Sequence, residues 1–476
     1  MPRAPPQGNK RPVPAAAMER ESKRSRDSPP LLWDPVAIPM PLASALQRWG
    51  PELRQEMEVA ARKEPGLAAP CVSAGAYSLR VATDCSGLEA PLLALKAMQV
   101  PFRHVFSSEI DPQKRDFINL NFPDAVLYDD MVRRDQSLVP PHDLYVCGFP
   151  CKPFSSLHHG SQFFKEAQAR PFFAAIKTIA ACLPAVAILE NVPGIQRVMP
   201  QVLRHLRKLA WYRVIVIHDN PLSMGEPVDR PRIFFVLLRA DVVKDNVQRL
   251  AAQLVSAGCC ETARAAVRDR CLPNDSPAVS CRRNAGTFAL APPQRKASSS
   301  APPKWEKQHQ GLPLAPKVPV LSPLTSREES LLRVLLARSG LSDLRPDFNV
   351  DLSQGLGRAH VRAHCPTITP GGKVLVGGLR RVLGHWDKCL LHLVPVHRLQ
   401  WPRSLSEQKI GDLAGNTMHL MSAGPLVQLF FVHGCACICV VSLPTRHSMS
   451  PTDGFDSEVL LSLGRVLFSC GAQCYV

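Results

Sequence analysis

One cysteine of this sequence lies in a setting that suits a nucleophile. Cys151 follows the apolar run 144–147, which predicts a short buried strand. Gly148, Pro150 and Pro153 end that strand and predict a rigid loop. Loops at the ends of strands carry the chemistry of open α/β sheets, and a thiolate there can attack an electrophilic carbon. A bare cysteine is more often a buried structural residue, so its neighbours decide the interpretation.

A second apolar run ends on polar side chains. Residues 185–189 predict another strand, and Glu190 and Asn191 follow it directly, before the turn at Pro193 and Gly194. A carboxyl group beside the loop of a nucleophile can stabilise charge on a substrate, and an amide can fix that loop. The alternative for Glu190 is a strand-end residue that only caps the following turn.

Alternating strands and helices surround these two loops. Strands are predicted at 79–83, 104–108, 144–147, 185–189, 212–218 and 232–238. Helices are predicted at 91–98 and 112–119. This order predicts an α/β fold with a doubly wound, mostly parallel sheet.

The first strand and the turn after it predict a nucleotide site. Free N–H groups at the start of the following helix face a ligand, and Glu109 ends the second strand about 20 residues after Gly87. A carboxylate there can accept both ribose hydroxyls, so a nicotinamide cofactor is one interpretation. The turn, however, departs from the Gly-x-Gly-x-x-Gly pattern, and Glu89 would repel a pyrophosphate. An acid in this turn suits the ammonium of a methionine-derived cofactor better.

Four motifs together resemble the cytosine-5 DNA methyltransferase family, whose members depend on S-adenosyl-L-methionine. They are Pro150-Cys151-Lys152-Pro153-Phe154-Ser155, then Glu190-Asn191-Val192, then Arg230-Pro231-Arg232, and late in the chain Gly415-Asn416. The resemblance covers residues 77–431, with the motifs in the order of the family. It implies a Rossmann-like, class I methyltransferase fold with a smaller, variable target-recognition region.

The resemblance also implies roles for the catalytic residues. Cys151 would add to carbon 6 of cytosine, and nearby donors or positive charge must raise its thiolate fraction. Glu190 would hydrogen-bond ring nitrogen 3 and the exocyclic amine, and Asn191 would fix the loop of Cys151. Arg230 and Arg232 would hold the base, the adjacent phosphate or Glu190. The alternative for the two arginines is a solvated basic strand edge.

The cofactor that the resemblance implies is S-adenosyl-L-methionine. The residues that would line its site are Asp84, Ser86, Gly87, Leu88, Glu109, Ile110 and Asn416, with Asp129 or Asp130 near the adenine. Spacing does not choose between the two aspartates. No metal site is predicted, because the cysteines at 259, 260, 271 and 281 lack the spacing of zinc ligands.

The composition favours a polyanionic partner. The chain has 57 Lys+Arg against 40 Asp+Glu, a formal net charge of +17, which indicates nucleic acid unless a basic tail alone carries the excess. No apolar run approaches the ~20 residues of a membrane helix. Two basic clusters, Lys10-Arg11 and Lys23-Arg24-Ser25-Arg26, resemble a bipartite nuclear import signal and predict the nucleus. The oligomeric state stays open.

Composition and motif order divide the chain into five regions. They are a basic, Pro-rich, largely disordered extension (1–76), a catalytic and cofactor-binding domain (77–239), a variable target-recognition region with a linker (240–360), late motifs that complete the catalytic domain (361–431) and a tail (432–476). The target-recognition region is assigned by its position in the family alone.

Three functions are compatible with these patterns. The first is a nuclear DNA cytosine-5 methyltransferase, and the second is the same chemistry on RNA, with tRNA as the expected substrate. The third is a catalytically silent nucleic-acid-binding relative. The basic tail and the long insert favour DNA over RNA. The intact set of Cys151, Glu190, Arg230 and Arg232 argues against the third function.

Overall fold

Short apolar runs form the strands of two sheets in the computed structural model, which describes residues 31–62, 78–155, 160–241, 265–279, 304–428 and 474–475. The two strands that precede the predicted catalytic residues, β4 and β5, are buried along their whole length. The strands are β1 (Leu79–Asp84), β2 (Phe102–Ser108), β3 (Val126–Tyr128), β4 (Leu144–Cys147), β5 (Val186–Asn191), β6 (Tyr212–Asp219), β7 (Arg232–Arg239), β8 (Asn349–Asp351), β9 (Val374–Val376), β10 (Arg381–Val382) and β11 (Cys474–Tyr475).

The order of the large sheet places the first βα loop beside the Cys151 loop. That order is β11-β6-β7-β5-β4-β1-β2-β3. β1 pairs in parallel with β2 on one side and with β4 on the other, and β4 pairs in parallel with β5. β7 runs antiparallel to both β5 and β6. The strand order reverses between β1 and β4, and such a switch point opens a crevice at the carboxyl ends of the strands.

Helices cover both faces of the large sheet. Successive strand residues point to opposite faces, so neighbouring residues of one strand belong to different apolar cores. The α-helices of the described chain are α1 (Met40–Arg62), α2 (Ala90–Ala97), α3 (Pro112–Asn121), α4 (Arg170–Cys182), α5 (Met199–Leu206), α6 (Lys304–His309), α7 (Ser326–Arg338), α8 (His385–Leu390), α9 (Glu407–Asn416) and α10 (Leu420–Gln428). Val81 belongs to the core shared with α1, α2, α9 and α10, whereas Ala82 belongs to the core shared with α4 and α5.

A smaller antiparallel sheet, in the order β10-β9-β8, packs against α7. A capping box begins α7, in which Glu328 N donates to Thr325 Oγ1 at 3.3 Å and Thr325 N donates to Glu328 Oε2 at 3.0 Å. Lys373 also pairs with Glu328, at 2.7 Å, and this ion pair joins the strand region to the helix. The helix and the small sheet therefore pack against each other around an apolar core of their own.

The predicted α/β fold with a doubly wound, mostly parallel sheet is confirmed. The sequence did not predict β3, a strand of three residues that are all at least partly exposed at the edge of the sheet. Within the region predicted as an N-terminal extension, α1 packs on the core through Leu46, Trp49 and Leu53. The basic clusters at 10–11 and 23–26 lie outside the described residues. No helix of the described ranges is long and apolar enough to cross a membrane.

Candidate active site at the strand ends

The loop of Cys151 and the acid Glu190 leave the sheet side by side. In the parallel pair of β4 and β5, Cys147 lies opposite Leu189, so Gly148 and Glu190 are the next residues of neighbouring strands. A Cβ atom on Gly148 would lie 3.3 Å from Glu190 Oε2 and 3.0 Å from Met418 Cε. The glycine therefore lets the strand pass close to the carboxyl group.

Asn191 ties the Cys151 loop to the end of β5. Its Nδ2 donates to the carbonyl of Phe149 at 3.1 Å, while its Oδ1 accepts from Val192 N at 2.9 Å. Beyond the thiol, the N–H groups of Phe154 and Ser155 donate to the carbonyl of Cys151 at 2.9 and 2.8 Å. The loop is a closed turn fixed by the amide of Asn191, which is the contact expected of a residue that positions this loop.

An ion pair orients the carboxyl group of Glu190. Arg232 Nε lies 2.9 Å from Glu190 Oε1, and both side chains are largely buried. Burial and the charge of Glu190 raise the pKa of the Cys151 thiol, while Arg232 and Arg230 act in the opposite direction. The two arginines therefore favour the thiolate, as expected of neighbouring positive charge, but burial and the acid outweigh them in the ligand-free protein.

Arg230 has a structural position, and the prediction that its side chain holds a base or phosphate is wrong in this structure. Its guanidinium is buried and donates to the carbonyls of Ile368 at 2.8 Å, Gly415 at 2.9 Å and Thr417 at 2.6 Å. Burial lowers the pKa of Arg230 well below its usual value. Arg230 therefore joins the start of β7 to two late segments of the chain. Of the two arginines, Arg232 alone pairs with Glu190.

Glu109 organises the predicted cofactor loop. Its Oε2 accepts from Gly87 N at 3.0 Å and its Oε1 accepts from Asp111 N at 3.0 Å. Ser86 lies in the same loop, and its Oγ donates to the carbonyl of Ser108 at 3.3 Å.

The two apolar residues predicted to line this site differ in exposure. Ile110, beside Glu109, is 74% exposed, so it offers an apolar surface to a ligand. Leu88 as a whole residue is buried in the core, so it presents no exposed surface to a ligand in this structure.

Asp84 does not line this loop, and that prediction is wrong for its side chain. Its carboxylate is buried and accepts from Arg134 Nη1 at 2.7 Å and from the Tyr145 hydroxyl at 2.5 Å. The guanidinium of Arg134 also lies 4.7 Å from the ring centre of Phe106. Arg134 carries no signal in the local sequence, because its partner lies fifty positions earlier and no local pattern connects the two residues.

Glu89 also lies inside the fold rather than beside a ligand. Its carboxyl group is fully buried, and it accepts from Thr83 Oγ1 at 2.9 Å and from the hydroxyl of Ser107. Burial raises the pKa of Glu89 to about 8. The interpretation in which this acid meets the ammonium of a cofactor is therefore wrong in this structure.

The two candidate acids for the adenine differ in their contacts. Asp130 is engaged, since its Oδ1 accepts from Val132 N at 2.8 Å and its carboxylate lies 3.3 Å from Arg133. Asp129 is exposed, and its carboxylate has no hydrogen-bond partner in the described part of the chain. Asp129 is therefore the aspartate that remains available to a ligand.

The late helix α9 returns to the first βα loop. Leu413 Cδ2 lies 3.9 Å from where a Cβ on Gly87 would be, and Lys409 pairs with Asp111 at 2.5 Å.

The end of α9 carries the late Gly-Asn motif. Gly415 approaches the backbone of Pro370 so closely that a Cβ would lie 2.3 Å from the Pro370 nitrogen. Asn416 is exposed at the end of this helix, and its Nδ2 donates to the carbonyl of Asp412 at 2.9 Å. The late motif thus borders the predicted cofactor site.

Comparison with known proteins agrees with this geometry. Residues 83–269, which contain the loops of Cys151, Glu190 and Arg232, match the family model described as C-5 cytosine-specific DNA methylase. Residues 83–269 are thus a cytosine-5 DNA methyltransferase family segment. The matched residues thus include β4, which leads to the Cys151 loop, and β5, which ends with Glu190 and Asn191.

Proteins similar to this chain occur in bacteria and fungi. The Type II methyltransferase M.NlaIV of Neisseria lactamica is 30% identical over 157 residues, which are 30% of this chain and 36% of that protein. The DNA (cytosine-5-)-methyltransferase DMT5 of Cryptococcus neoformans is 32% identical over 137 residues, 24% of this chain and 6% of that protein. The chain therefore spans about a third of the first of these relatives. Among solved structures, the S. pombe Dnmt2 methyltransferase has 15% identity and a TM-score of 0.46 over 74% of this chain and 98% of that one.

Proposed function

We propose that this protein is a DNA (cytosine-5-)-methyltransferase that moves a methyl group from S-adenosyl-L-methionine to carbon 5 of cytosine through a covalent adduct with Cys151. The observation that carries the proposal is the meeting of the Cys151 loop and Glu190 at the ends of two adjacent parallel strands, with Arg232 paired to the acid. The strand before the Cys151 loop, β4, pairs directly with β1, whose loop is the predicted cofactor site.

The first step assigned to this chain is nucleophilic addition. The Cys151 thiolate forms a bond to carbon 6 of cytosine, and the electron pair of the 5,6 double bond moves toward ring nitrogen 3. Glu190 supplies a proton or a hydrogen bond to that nitrogen, and it accepts a hydrogen bond from the exocyclic amine. Arg232 holds Oε1 of the acid, so the carboxyl group is oriented before the substrate arrives. Uracil and thymine, which already carry a proton on nitrogen 3, fit this acid less well.

The reverse step regenerates the enzyme. When bound, S-adenosyl-L-methionine supplies an electrophilic methyl group on a sulfonium. Once carbon 5 carries that methyl group, loss of the carbon-5 proton restores the double bond and expels Cys151 as the thiolate. Because carbon 6 is hidden inside a stacked duplex, the target nucleotide has to leave the helix to reach Cys151.

The loop residues fit the nucleoside half of the cofactor. Each carboxylate oxygen of Glu109 accepts one backbone N–H and keeps a further lone pair for a ribose hydroxyl. The exposed Ile110 can pack on a flat ring, and the exposed carboxylate of Asp129 can accept from an amine. Ser86, Gly87 and Asn416 border the same site, whereas Asp84 and Asp130 are engaged elsewhere.

Methyl transfer to two substrates tests the proposed function. Labelled S-adenosyl-L-methionine is supplied with duplex DNA and, in parallel, with tRNA. We expect label in DNA at carbon 5 of cytosine, and none with Cys151→Ala, which keeps the fold but lacks the thiol. Label in tRNA alone would replace the DNA assignment, and label in neither substrate would contradict the enzymatic proposal. Of the two relatives described above, DMT5 is named as a DNA (cytosine-5-)-methyltransferase, which supports the expectation of label in DNA.

We also propose that the protein acts in the nucleus. The support is the pair of basic clusters near the start of the chain, Lys10-Arg11 and Lys23-Arg24-Ser25-Arg26. A fluorescent fusion of the whole chain should accumulate in nuclei, and replacement of both clusters by alanine should abolish that accumulation. Equal distribution of both fusions would contradict the proposal.

A further inference from the structure

An arginine outside the predicted motifs contacts the nucleophile loop. Arg197 lies in the short 3₁₀ turn Pro193–Val198 that follows β5. Its Nη2 donates to the carbonyls of Phe154 at 2.9 Å and Ser155 at 3.1 Å, and its Nε donates to its own turn at the carbonyl of Gly194, at 3.1 Å. Its guanidinium also lies 4.9 Å from the ring centre of Phe163. The side chain thus links the turn after β5 to the residues after Cys151.

These contacts complete a second attachment of the loop. On the near side of Cys151, Asn191 holds the carbonyl of Phe149. On the far side, Arg197 holds the carbonyls of Phe154 and Ser155. Both holding residues belong to the segment that begins with Glu190. The thiol and the acid are therefore joined through one hydrogen-bonded unit rather than through the sheet alone.

We propose that Arg197 is a positioning residue for the nucleophile loop and that it fixes Cys151 relative to Glu190. The proposal rests on the function proposed above. The role is geometric, since the charges that act on the Cys151 thiol are those of Glu190, Arg232 and Arg230. A guanidinium suits the role because its fixed fork of donors can hold several carbonyls at once, which the single ammonium of lysine does less well.

The exposed position of Arg197 suggests a competing role, a contact with a DNA phosphate. The two roles differ in what lysine can replace. A phosphate contact depends on positive charge, so Arg197→Lys would restore it and the salt dependence of DNA binding would follow. Loop positioning depends on the forked donors, so Arg197→Lys would restore only part of it.

The experiment compares Arg197→Ala and Arg197→Lys with Gln196→Ala, a control at the neighbouring exposed position. Single-turnover methyl transfer, cofactor affinity, DNA affinity over a range of salt, and the pH profile of the rate are measured on the whole chain. We expect Arg197→Ala to lower the single-turnover rate roughly 10- to 100-fold, because small misplacements of a reacting group have effects of that size. Cofactor affinity, the salt slope and the midpoint of the pH profile should stay unchanged. Arg197→Lys should be intermediate and Gln196→Ala should match the wild type.

Hydrogen exchange gives a readout that does not require activity. Amides of residues 149–155 should exchange faster in Arg197→Ala than in Gln196→Ala, while the strands keep their protection. Unchanged exchange in 149–155, or a rate within twofold of the wild type, would overturn the proposal. A reduced salt slope in Arg197→Ala that Arg197→Lys restores would overturn it in favour of the phosphate contact. If the wild type methylates nothing, the proposed function fails, and the exchange result still decides the positioning role.

Discussion

At the scale of single residues, Glu190 has two opposed effects on Cys151. Its charge, together with burial, raises the pKa of the thiol and disfavours the thiolate in the free protein. The same carboxyl group, oriented by Arg232 at 2.9 Å, is the group proposed to stabilise cytosine as the thiolate adds. Glu190 thus opposes the thiolate in the free protein, whereas its proposed contact with cytosine favours addition of the thiolate.

Replacing Glu190 by glutamine separates these two effects. Glu190→Gln removes a negative charge, so the pKa of Cys151 falls and alkylation by iodoacetamide at a fixed pH becomes faster. Methyl transfer should fall about 10²- to 10³-fold, the usual loss for one group that stabilises developing charge. Mass spectrometry of the peptide containing Cys151 measures the alkylation. Slower alkylation in the variant would show that the electrostatic assignment is wrong.

Asp84 and Asp129 form a matched pair of acids with opposite expected effects. Asp84→Asn breaks the buried pair with Arg134 and should lower the free energy of unfolding by about 3–5 kcal/mol, with cofactor affinity of the folded protein little changed. Asp129→Asn changes an exposed acid and should alter stability by less than about 0.5 kcal/mol while weakening cofactor binding. Denaturant unfolding and cofactor titration measure both quantities. Normal stability with weakened cofactor binding in Asp84→Asn would instead indicate that Asp84 lines the cofactor site.

At the scale of elements, the early strands provide the loops and the late helices complete the site. Arg230, just before β7, reaches three carbonyls in segments that lie 138 to 187 positions later in the chain. Lys409 of α9 reaches Asp111 at the start of α3, a separation of 298 positions. These contacts hold the late motif beside the loops of β1 and β2.

Substitution of Arg230 tests whether that residue joins elements or holds nucleic acid. Arg230→Lys keeps the charge, but its single ammonium does not reproduce the planar fork that spans the three carbonyls, so buried acceptors lose their partners. We expect the free energy of unfolding to fall by about 2–4 kcal/mol, with the salt dependence of DNA binding unchanged. Chemical denaturation and DNA titration at several salt concentrations measure these effects. A salt slope that differs from the wild type, with normal stability, would instead indicate a phosphate contact.

The sequence predicted the parts of the site that depend on local pattern. Cys151 lies in the loop after β4, Glu190 and Asn191 end β5, and adjacent parallel strands bring such positions to one edge of the sheet. Side-chain direction was less predictable, because Asp84 and Glu89 lie in the expected turn yet point into the fold. Arg230 could not be assigned from the sequence, since its partners are distant in the chain.

At the scale of the whole molecule, one buried acid makes stability depend on pH. Burial raises the pKa of Glu89 to about 8, against 4.5 for an exposed glutamate. The folded state therefore holds this proton more tightly than the unfolded state does. The stability that the protonated acid contributes is fully present below pH 4.5 and is lost as the pH rises through about 8.

Glu89→Gln removes this dependence. The free energy of unfolding of the variant, relative to the wild type, should rise by a few kcal/mol between pH 5 and pH 8.5, since each unit of pKa shift is about 1.4 kcal/mol. The nearby His104, whose burial lowers its pKa to about 4, lies 4.0 Å from Glu89 and is present in both proteins. Urea denaturation at the two pH values measures the difference. A difference that is constant with pH would mean that Glu89 is ionised throughout.

The covalent role of Cys151 is the central claim, and a mechanism-based trap tests it most directly. DNA with 5-fluorocytosine at the target position lacks the proton that must leave carbon 5, so the thiolate cannot be expelled after methyl transfer. With S-adenosyl-L-methionine present, we predict a stable protein–DNA adduct that maps to Cys151 and is absent in Cys151→Ala. An adduct at another residue, or a wild-type protein that methylates ordinary DNA yet forms no adduct with the fluorinated DNA, would contradict it.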